Sequence, residues 1–450
     1  MAFIPHTDPE RRQMLAAIGV DSLEDLFKDI PEDVRFPELQ LPKRLTELEL
    51  DREIRRLARR NRTLASGPSF LGAGCYRHFI PATVDYVLQR SEFYSSYTPY
   101  QPELSQGVLQ AIFEYQTMIC RLTGMEVSNA SHYDGATSLA EAILLALGVS
   151  GNKRNKVLVS PFVHPHYRAV ARTYLKGTDT NLSVADGAVT SAAALAKQVD
   201  QETAALVVQT PNFLGGVEDL RGVGETVHAQ GALLIVVADP IALGLFRPPG
   251  DDEADVVVAD GQPLGITPSF GGPSLGIFAT RRKYIRRLVG RLVAQTEDAQ
   301  GRRGFVLTLA TREQHIRRAK ATSNICTNSA LGALAAAVYL ASMGEYGLRQ
   351  VAEQCFHRSH YAAAKIAEVP GCSINVHAPS NEFFREFVVS LPIDAATVLS
   401  RLREEHDIIG GYDLGRSIAG SDDKMLVAVT EMNTRDEIDR LVAALRQVIT

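Results

Sequence analysis

An alternation of short apolar segments and amphipathic segments through the middle of the chain constrains the fold more than any other feature. The apolar segments are rich in branched residues, as buried parallel strands are, and the segments between them have the period of helices. The predicted strands are 156–160, 205–209, 232–238 and 255–259, and the helices between them are 167–176 and 220–229. This alternation predicts an α/β fold with a mostly parallel, doubly wound sheet that helices cover on both faces.

The regions on either side of this sheet have a different pattern. Before it, residues 9–61 are predicted to form helices and turns, with an apolar stripe at Leu50, Ile54, Leu57 and Ala58 that is typical of an arm packed on another surface. After it, two helical segments, 328–342 and 345–368, lead to a smaller α+β lobe. We therefore predict three parts: a helical arm at 1–65, a large α/β domain at 66–325, and bridging helices with a small domain at 326–450.

Composition excludes several classes of function. The 47 basic and 52 acidic residues nearly balance, so neither a nucleic-acid surface nor an anionic-membrane surface is indicated. Continuous apolar stretches stay below the roughly 18 to 20 residues of a membrane helix, and the first residues lack a signal-peptide pattern, so we expect a cytoplasmic protein. The five scattered cysteines include no Cys-x-x-Cys, and His164 and His166 have no third ligand in sight, so no metal site is predicted.

An aspartate follows the predicted strand 232–238. Ligands of open α/β sheets bind beyond the carboxyl ends of the strands, so the side chain of Asp239 can face a bound ring. In pyridoxal phosphate enzymes an aspartate in this place pairs with the pyridine nitrogen. The alternative is an N-cap for the turn that follows.

A glycine-rich loop follows the next strand, 255–259, and is where a cofactor-binding lysine would belong. Gln262 occupies that loop, and an amide cannot form an imine. The nearest downstream lysine, Lys283, is expected to be a surface charge.

A phosphate-binding turn is predicted upstream of these strands. Gly135, Ala136 and Thr137 open an apolar helix, and the N–H groups at such a start favour an anion, although ordinary capping would use the same residues. His164 follows an earlier strand, where a ring stacks on the pyridoxal ring in aminotransferase-like folds. The order of these features is the layout of aspartate aminotransferase-type pyridoxal enzymes, without the nucleophilic lysine.

Four longer motifs make the resemblance specific. They are SYTPYQPELSQG at 96–107, EYQTMIC at 114–120, YDGAT at 133–137 and SFGGP at 269–273. Together they resemble the P-protein family of the glycine cleavage system, in the alpha-subunit form of its two-subunit type. The resemblance extends over nearly the whole chain.

The resemblance implies a fold, a reaction and partners. The fold would be aminotransferase-like, of the pyridoxal-phosphate-dependent transferase fold type I. The beta subunit of the family has His-Lys where this chain has Gly261 and Gln262, so the cofactor would be held mainly by that partner and this chain would be inactive alone. Two alpha and two beta chains would decarboxylate glycine and transfer its aminomethyl group to the lipoyl arm of the H-protein. Tyr97 and Tyr100 would line the shared pocket, while Gly135, Ala136, Thr137, His164, Asp239 and Gln262 would be vestigial cofactor positions.

Two alternatives remain open. One is an independent pyridoxal enzyme that uses Lys283 or Lys320. The other is a non-catalytic scaffold subunit whose cleft is a relic, because glycines and Asp239 also serve folding.

Overall fold

The structure is a computed structural model that describes residues 6–64, 66–94, 98–185, 191–321, 323–325, 328–375 and 382–449. Its internal contacts divide it into two units, Met1–Thr63 and Leu64–Thr450. The second unit contains the sheet and the candidate site. The three-part division at 1–65, 66–325 and 326–450 stays a prediction.

The described residues of the first unit form two α-helices, α1 at Asp8–Ile18 and α2 at Glu47–Ala58, with a short 3-10 helix at Glu24–Phe27 between them. A reciprocal cap begins α2, because the Thr46 amide donates to the Glu49 carboxylate at 2.8 Å and the Glu49 amide donates back to the Thr46 hydroxyl at 3.4 Å. The predicted apolar stripe lies on α2, where Leu50, Ile54 and Leu57 are 50, 55 and 40% exposed. None of the described side chains from 6 to 63 is buried.

A seven-stranded sheet forms the centre of the second unit. Its strands are β1 (Val127–Ser128), β2 (Lys156–Val159), β3 (Asn181–Val184), β4 (Thr203–Thr210), β5 (Leu233–Ala238), β6 (Val256–Asp260) and β7 (Gly276–Thr280). The order across the sheet is β1-β7-β6-β5-β4-β2-β3, and the pairs from β3 to β6 are parallel. The predicted mostly parallel sheet is confirmed.

Helices cover both faces of this sheet. The helices of this part of the chain are α3 (Ala82–Leu88), α4 (Ser91–Tyr94), α5 (Gln106–Thr123), α6 (Gly135–Val149), α7 (Pro165–Tyr174), α8 (Ala192–Ala196), α9 (Val223–Ala229), α10 (Gln314–Arg317) and α11 (Ala330–Ala367). The short helices α4 and α10 have no buried residues, and the sheet is covered by the others. Successive residues of β4 alternate between two cores: Leu206 and Val208 pack with α5, α9 and α11, while Val207 packs with α6 and α7. The strands are therefore apolar throughout because each of their faces is buried.

Two antiparallel features were not predicted. Strand β7 runs antiparallel to β6, since the loop between them, residues 261–275, reverses the chain without a crossover helix. A hairpin of β8 (Leu292–Glu297) and β9 (Arg303–Thr308) forms a separate two-stranded sheet. Its outer residues are exposed and polar, so the apolar-run criterion that identified the central strands did not detect it.

The small C-terminal lobe is built on a four-stranded antiparallel sheet. Its strands are β10 (Ser373–Asn375), β11 (Glu386–Ser390), β12 (Tyr412–Asp413) and β13 (Lys424–Ala428), and its helices are α12 (Ala395–His406) and α13 (Arg435–Val448). Helix α11 leads into this lobe and is interrupted at Gly344, whose φ is 61°. The two predicted bridging helices, 328–342 and 345–368, are therefore confirmed as two helical segments that meet at this kink.

A close backbone junction connects the large lobe to the small one. The Phe384 amide donates to the Gly215 carbonyl at 3.2 Å, and the Val217 amide donates to the Glu382 carbonyl at 2.9 Å. Gly215 has a φ of 92°, and a Cβ there would collide with the backbone of Glu386. Glycine is required at this point because both the conformation and the space exclude a side chain.

One described helix, α11, is long and apolar enough to cross a membrane by length and composition alone. A core helix of a globular domain passes the same test. Buried residues of α11, among them Ala336, Tyr339 and Ile366, belong to the cores of the two lobes.

Candidate functional site

The candidate site is a cleft beyond the carboxyl ends of β4, β5 and β6, closed by the small lobe. Its cavity has a volume of about 50 Å³. The lining includes two predicted residues, His164 and Asp239, and several that were not predicted: Gly74, Tyr76, Tyr167, Asp260, Arg385 and Glu386. The position agrees with the general location of ligand sites in open α/β sheets.

Both carboxylate oxygens of Asp239 are engaged in this cleft. Its Oδ1 accepts from the amides of Ile241 at 2.9 Å and Ala242 at 3.3 Å, which is the capping role. Its Oδ2 forms an ion pair with Nη2 of Arg385, whose side chain is 2% exposed. The guanidinium of Arg385 therefore lies where the pyridine nitrogen of the cofactor was expected to pair with Asp239.

Arg385 lies on an aromatic ring and next to a histidine. Its Cζ is 3.5 Å from the ring centroid of Tyr76, a stacked cation–π arrangement that arginine favours. Its Nη1 donates to Nε2 of His78 at 2.6 Å. His78 therefore carries its proton on Nδ1, from which it donates to Glu431 at 2.7 Å.

His78, Cys355 and Glu431 have ligand atoms within 4.8 Å of one another, as a metal site would require. These atoms already bond one another, because Cys355 Sγ donates to the carboxylate of Glu431 at 3.5 Å and His78 donates to it as well. The guanidinium of Arg385 on the far side of His78 opposes a second cation. The cluster is therefore satisfied by internal hydrogen bonds.

Gln262 has all of its side-chain polar groups engaged. Its Oε1 accepts from the Tyr76 amide at 2.9 Å, and its Nε2 donates to the carbonyls of Tyr76 at 3.0 Å and Ile266 at 2.6 Å. The amide thus fixes the peptide of Tyr76, the residue whose ring supports Arg385. Gln262 is 5% exposed, so these bonds are shielded from water.

The start of α6 is occupied by two carboxylates. Asp134 accepts from the Thr137 amide at 2.7 Å, and Asp260 Oδ2 accepts from the Gly135 amide at 3.1 Å. The hydroxyl of Thr137 also bonds Asp134, at 2.9 Å, and Ala136 lies beside them in the first turn. These contacts are those of helix capping, the alternative considered for this turn.

Asp260 is a further buried carboxylate of the cleft. It accepts from the Ser274 hydroxyl at 2.6 Å and from the backbone amide of Gln262 at 2.9 Å. Burial raises the pKa of the Asp260 carboxyl. The hydroxyl of Tyr167 lies directly above Gly135, so that a Cβ at this glycine would collide with it. The space above the first turn of α6 is filled by protein.

His164 lies in the cleft wall and is held by backbone groups. Its Nε2 lies 2.9 Å from the carbonyl of Ala73, and its Nδ1 accepts from the His166 amide at 3.1 Å. Burial lowers the pKa of His164 to about 4, so the imidazole is neutral at pH 7. Its ring packs against Phe213 with centroids 4.7 Å apart.

Glu386 completes the cleft from the small lobe. Its carboxylate accepts from the hydroxyl of Tyr76 at 2.6 Å and from the Ala73 amide at 2.7 Å, and burial raises its pKa to about 7. These two bonds tie the segment before α3 to β11. Hydrogen bonds and an ion pair between side chains from three parts of the second unit therefore hold the cleft closed.

Of the two tyrosines predicted to line a shared pocket, the structure describes Tyr100, which is not among the lining residues of this cleft. Tyr97 lies outside the described residues. Tyr100 is 55% exposed, and its hydroxyl accepts from Nη2 of Arg291 at 3.0 Å. Its ring makes an edge contact with His315, with centroids 6.0 Å apart. Tyr100 is therefore an exposed ring supported from behind by a buried arginine.

Sequence reasoning missed four of the residues that define this cleft. Asp260 could have been noted, because it ends strand β6 as Asp239 follows β5. Tyr76, Arg385 and Glu386 come from segments far away in sequence, and no local pattern points them at Asp239. Their contacts depend on how the small lobe docks.

The cleft does not fit pyridoxal phosphate. Pockets for ligands of this size are about 300 Å³ or more, whereas about 50 Å³ holds only a few water molecules. Among the residues that the structure describes, those lining the cleft include no lysine, and Asp239 is already paired with a cation.

Known proteins resemble this chain in sequence and in fold. The sequence model of the family described as "Glycine cleavage system P-protein" matches residues 1–445. A "Probable glycine dehydrogenase (decarboxylating) subunit 1" from Thermomicrobium roseum is 53% identical over an alignment of 452 positions that covers 99% of each chain. A crystal structure of a glycine decarboxylase (P-protein) of the glycine cleavage system, in inhibitor-bound form, is similar with a TM-score of 0.89 and 45% identity over 100% of both chains.

The wider fold class is shared with more distant proteins. An alanine–glyoxylate aminotransferase from Nostoc sp. has a TM-score of 0.58 at 18% identity, covering 93% of this chain and 98% of its own. At this identity the likeness concerns the fold alone. The predicted aminotransferase-like fold of pyridoxal-phosphate-dependent enzymes is confirmed.

Proposed function

The chain belongs to the glycine cleavage system P-protein family, and we propose that within the two-subunit enzyme it is the subunit that does not hold the cofactor. The enzyme decarboxylates glycine and passes the aminomethyl group to a lipoyl arm. The proposed partner is a beta subunit of similar fold that carries the pyridoxal-phosphate lysine. The proposed assembly contains two chains of each kind, in the cytoplasm, and docks a lipoylated H-protein.

One observation carries this proposal. Gln262 stands in the loop where a cofactor lysine would belong, and all of its polar side-chain groups are used to hold Tyr76 and Ile266. An amide cannot form an imine, so position 262 offers the cofactor no covalent anchor, and we assign that anchor to the partner chain. The narrow, self-paired cleft around Asp239 agrees with this assignment.

The cofactor, bound on the partner, supplies the electron sink for the loss of CO₂ from glycine. The contribution of this chain is to complete the wall of the partner's pocket and to present a docking surface. Tyr100 is our candidate for the wall, because it is exposed and held in a fixed orientation by Arg291. Tyr97, three residues earlier, is proposed for the same role.

Replacing Tyr100 by Phe in the assembled complex tests this contribution. The change removes the hydroxyl that Arg291 holds and keeps the ring, so we expect kcat/KM for glycine to fall about tenfold, the size of one hydrogen bond to a charged group. The matched control is Tyr346→Phe, another exposed tyrosine whose hydroxyl accepts one hydrogen bond, from Gln350 at 2.9 Å. Subunit association is measured in parallel, by sedimentation.

Unchanged turnover in the Tyr100→Phe complex, with full assembly, would favour the non-catalytic scaffold instead. A loss of turnover that merely follows a loss of assembly would also count against a role in the pocket wall.

The independent pyridoxal enzyme has little support. Lys283 is 3.2 Å from Asp255 Oδ1, and Asp255 precedes β6, at the end of the strand opposite to the cleft. Lys320 is exposed in the segment after α10.

A further inference from the structure

We propose that the cleft of this chain is closed to pyridoxal phosphate by a built-in plug, formed by Arg385, Tyr76, Gln262 and Asp260, in which each anchoring position of the cofactor has an internal substitute. The inference concerns this chain alone and holds whatever its partner contributes. Arg385, a residue of the small lobe, is the main reason why pyridoxal phosphate is excluded from the cleft, and the missing lysine is a lesser one.

The first substitute is at the ring-nitrogen position. The guanidinium of Arg385 pairs with Asp239 Oδ2 and stacks on Tyr76 with 3.5 Å between Cζ and the ring centroid. A planar cation bonded to Asp239 and supported by a ring is what a bound pyridinium would offer to the same carboxylate. A cofactor could enter only by displacing a buried charge and leaving it without its partner.

The second substitute is at the lysine position. Gln262 bonds both the amide and the carbonyl of Tyr76, as well as the carbonyl of Ile266. It therefore fixes the residue on which the guanidinium lies. A lysine at position 262 could still donate to the two carbonyls, so the single substitution is expected to fold with the plug in place.

The third substitute is at the phosphate position. Asp260 bonds the Gly135 amide at 3.1 Å, with Asp134 bound to the Thr137 amide in the same turn. A carboxylate thus already occupies the anion site of this helix start, and a phosphate would meet two negative groups there. The hydroxyl of Tyr167 above Gly135 removes the remaining space.

These three substitutes act together. Gln262 positions Tyr76, Tyr76 supports Arg385, and Arg385 pairs with Asp239. Asp260, the fourth residue of the plug, accepts from the backbone amide of Gln262 at 2.9 Å, so the plug is one continuous unit. Restoring only the nucleophile leaves the ring and phosphate positions filled. Opening the cleft requires the charge of Arg385 and the charge of Asp260 to be removed as well.

The test uses the full-length chain without its partner. The variants are Q262K, the triple variant Q262K/R385M/D260N, and a control triple Q262K/R154M/D260N. Arg154 is a suitable control because it donates to the carbonyls of Thr203 and Gln230. These two residues lie at the amino ends of β4 and β5, and the cleft lies at the carboxyl ends. Each chain is incubated with pyridoxal phosphate, reduced with borohydride, and mapped by mass spectrometry, while the melting temperature is measured with and without the cofactor.

We expect one pyridoxyl adduct per chain at position 262 in the R385M triple variant, with a melting temperature that rises with cofactor concentration. The Q262K chain and the control triple should show no stoichiometric adduct and no such rise. A stoichiometric adduct in Q262K alone, or a folded R385M triple variant that takes up no cofactor, would overturn the plug.

Loss of the Arg385 charge leaves Asp239 unpaired, so the triple variant is also expressed in excess pyridoxal phosphate. If it folds only with the cofactor, the pairing of Asp239 with the incoming ring is supported. If the cofactor does not rescue folding, the proposed equivalence of guanidinium and ring is wrong.

Discussion

The purified chain, supplied with pyridoxal phosphate, glycine and a lipoylated carrier protein but no partner subunit, is expected to release CO₂ no faster than free cofactor in buffer. The reason is that the described lining of the cleft offers no amine to the cofactor and that Asp239 is paired with Arg385. Enzymes exceed uncatalysed rates by roughly a million-fold or more, so addition of the partner should give an effect of that order. Release of labelled CO₂ from carboxyl-labelled glycine measures it.

The control for this assay is the partner subunit alone under the same conditions. If the partner alone reaches the full rate, this chain adds nothing to catalysis and the scaffold alternative gains support. Turnover by this chain alone would contradict the account from the other side, because it would require a lysine outside the cleft to hold the cofactor.

The second large effect is expected from the arm. Replacing Leu50, Ile54 and Leu57 together by Ser should weaken binding to the partner about 100-fold. These side chains form one face of α2 and are 50, 55 and 40% exposed. Burying each against a partner would contribute roughly 1 kcal/mol, and roughly 3 kcal/mol in total corresponds to about a hundredfold change in Kd. Isothermal titration of the variant with the partner measures this loss.

The matched control for the arm removes a surface ion pair from the same helix. Glu53 and Arg56 are linked at their charged ends, and replacing both by Ser leaves the net charge of the chain unchanged. We expect little change in Kd from this pair, since exposed ion pairs contribute little. Equal Kd values for the two variants would show that the apolar face of α2 is not part of the interface.

The sequence predicted those parts of the fold that depend on local patterns. Helix α5 illustrates this: apolar residues recur along it with the period of a helix, and Gly124 takes the left-handed conformation, with a φ of 70°, that ends it. The strands β4, β5 and β6 were also predicted from a local pattern, because strands buried on both faces are apolar without interruption.

The cleft was predicted only in part. Asp239 was located from its strand, yet its partner, Arg385, is 146 residues later and reaches the cleft through the docking of the small lobe. A sequence pattern records that the lysine is missing at position 262, but it does not record what fills the cleft. That information is in long-range contacts, such as those of Tyr76 with Gln262 and Glu386.

The central claim is that the cofactor belongs to the partner and not to this chain. The most direct test is to add pyridoxal phosphate to this chain and to the partner separately and together, reduce with borohydride, and map every pyridoxyl-lysine by mass spectrometry. We predict a stoichiometric label on one lysine of the partner and none on this chain in any mixture. A stoichiometric label on a lysine of this chain would contradict the account.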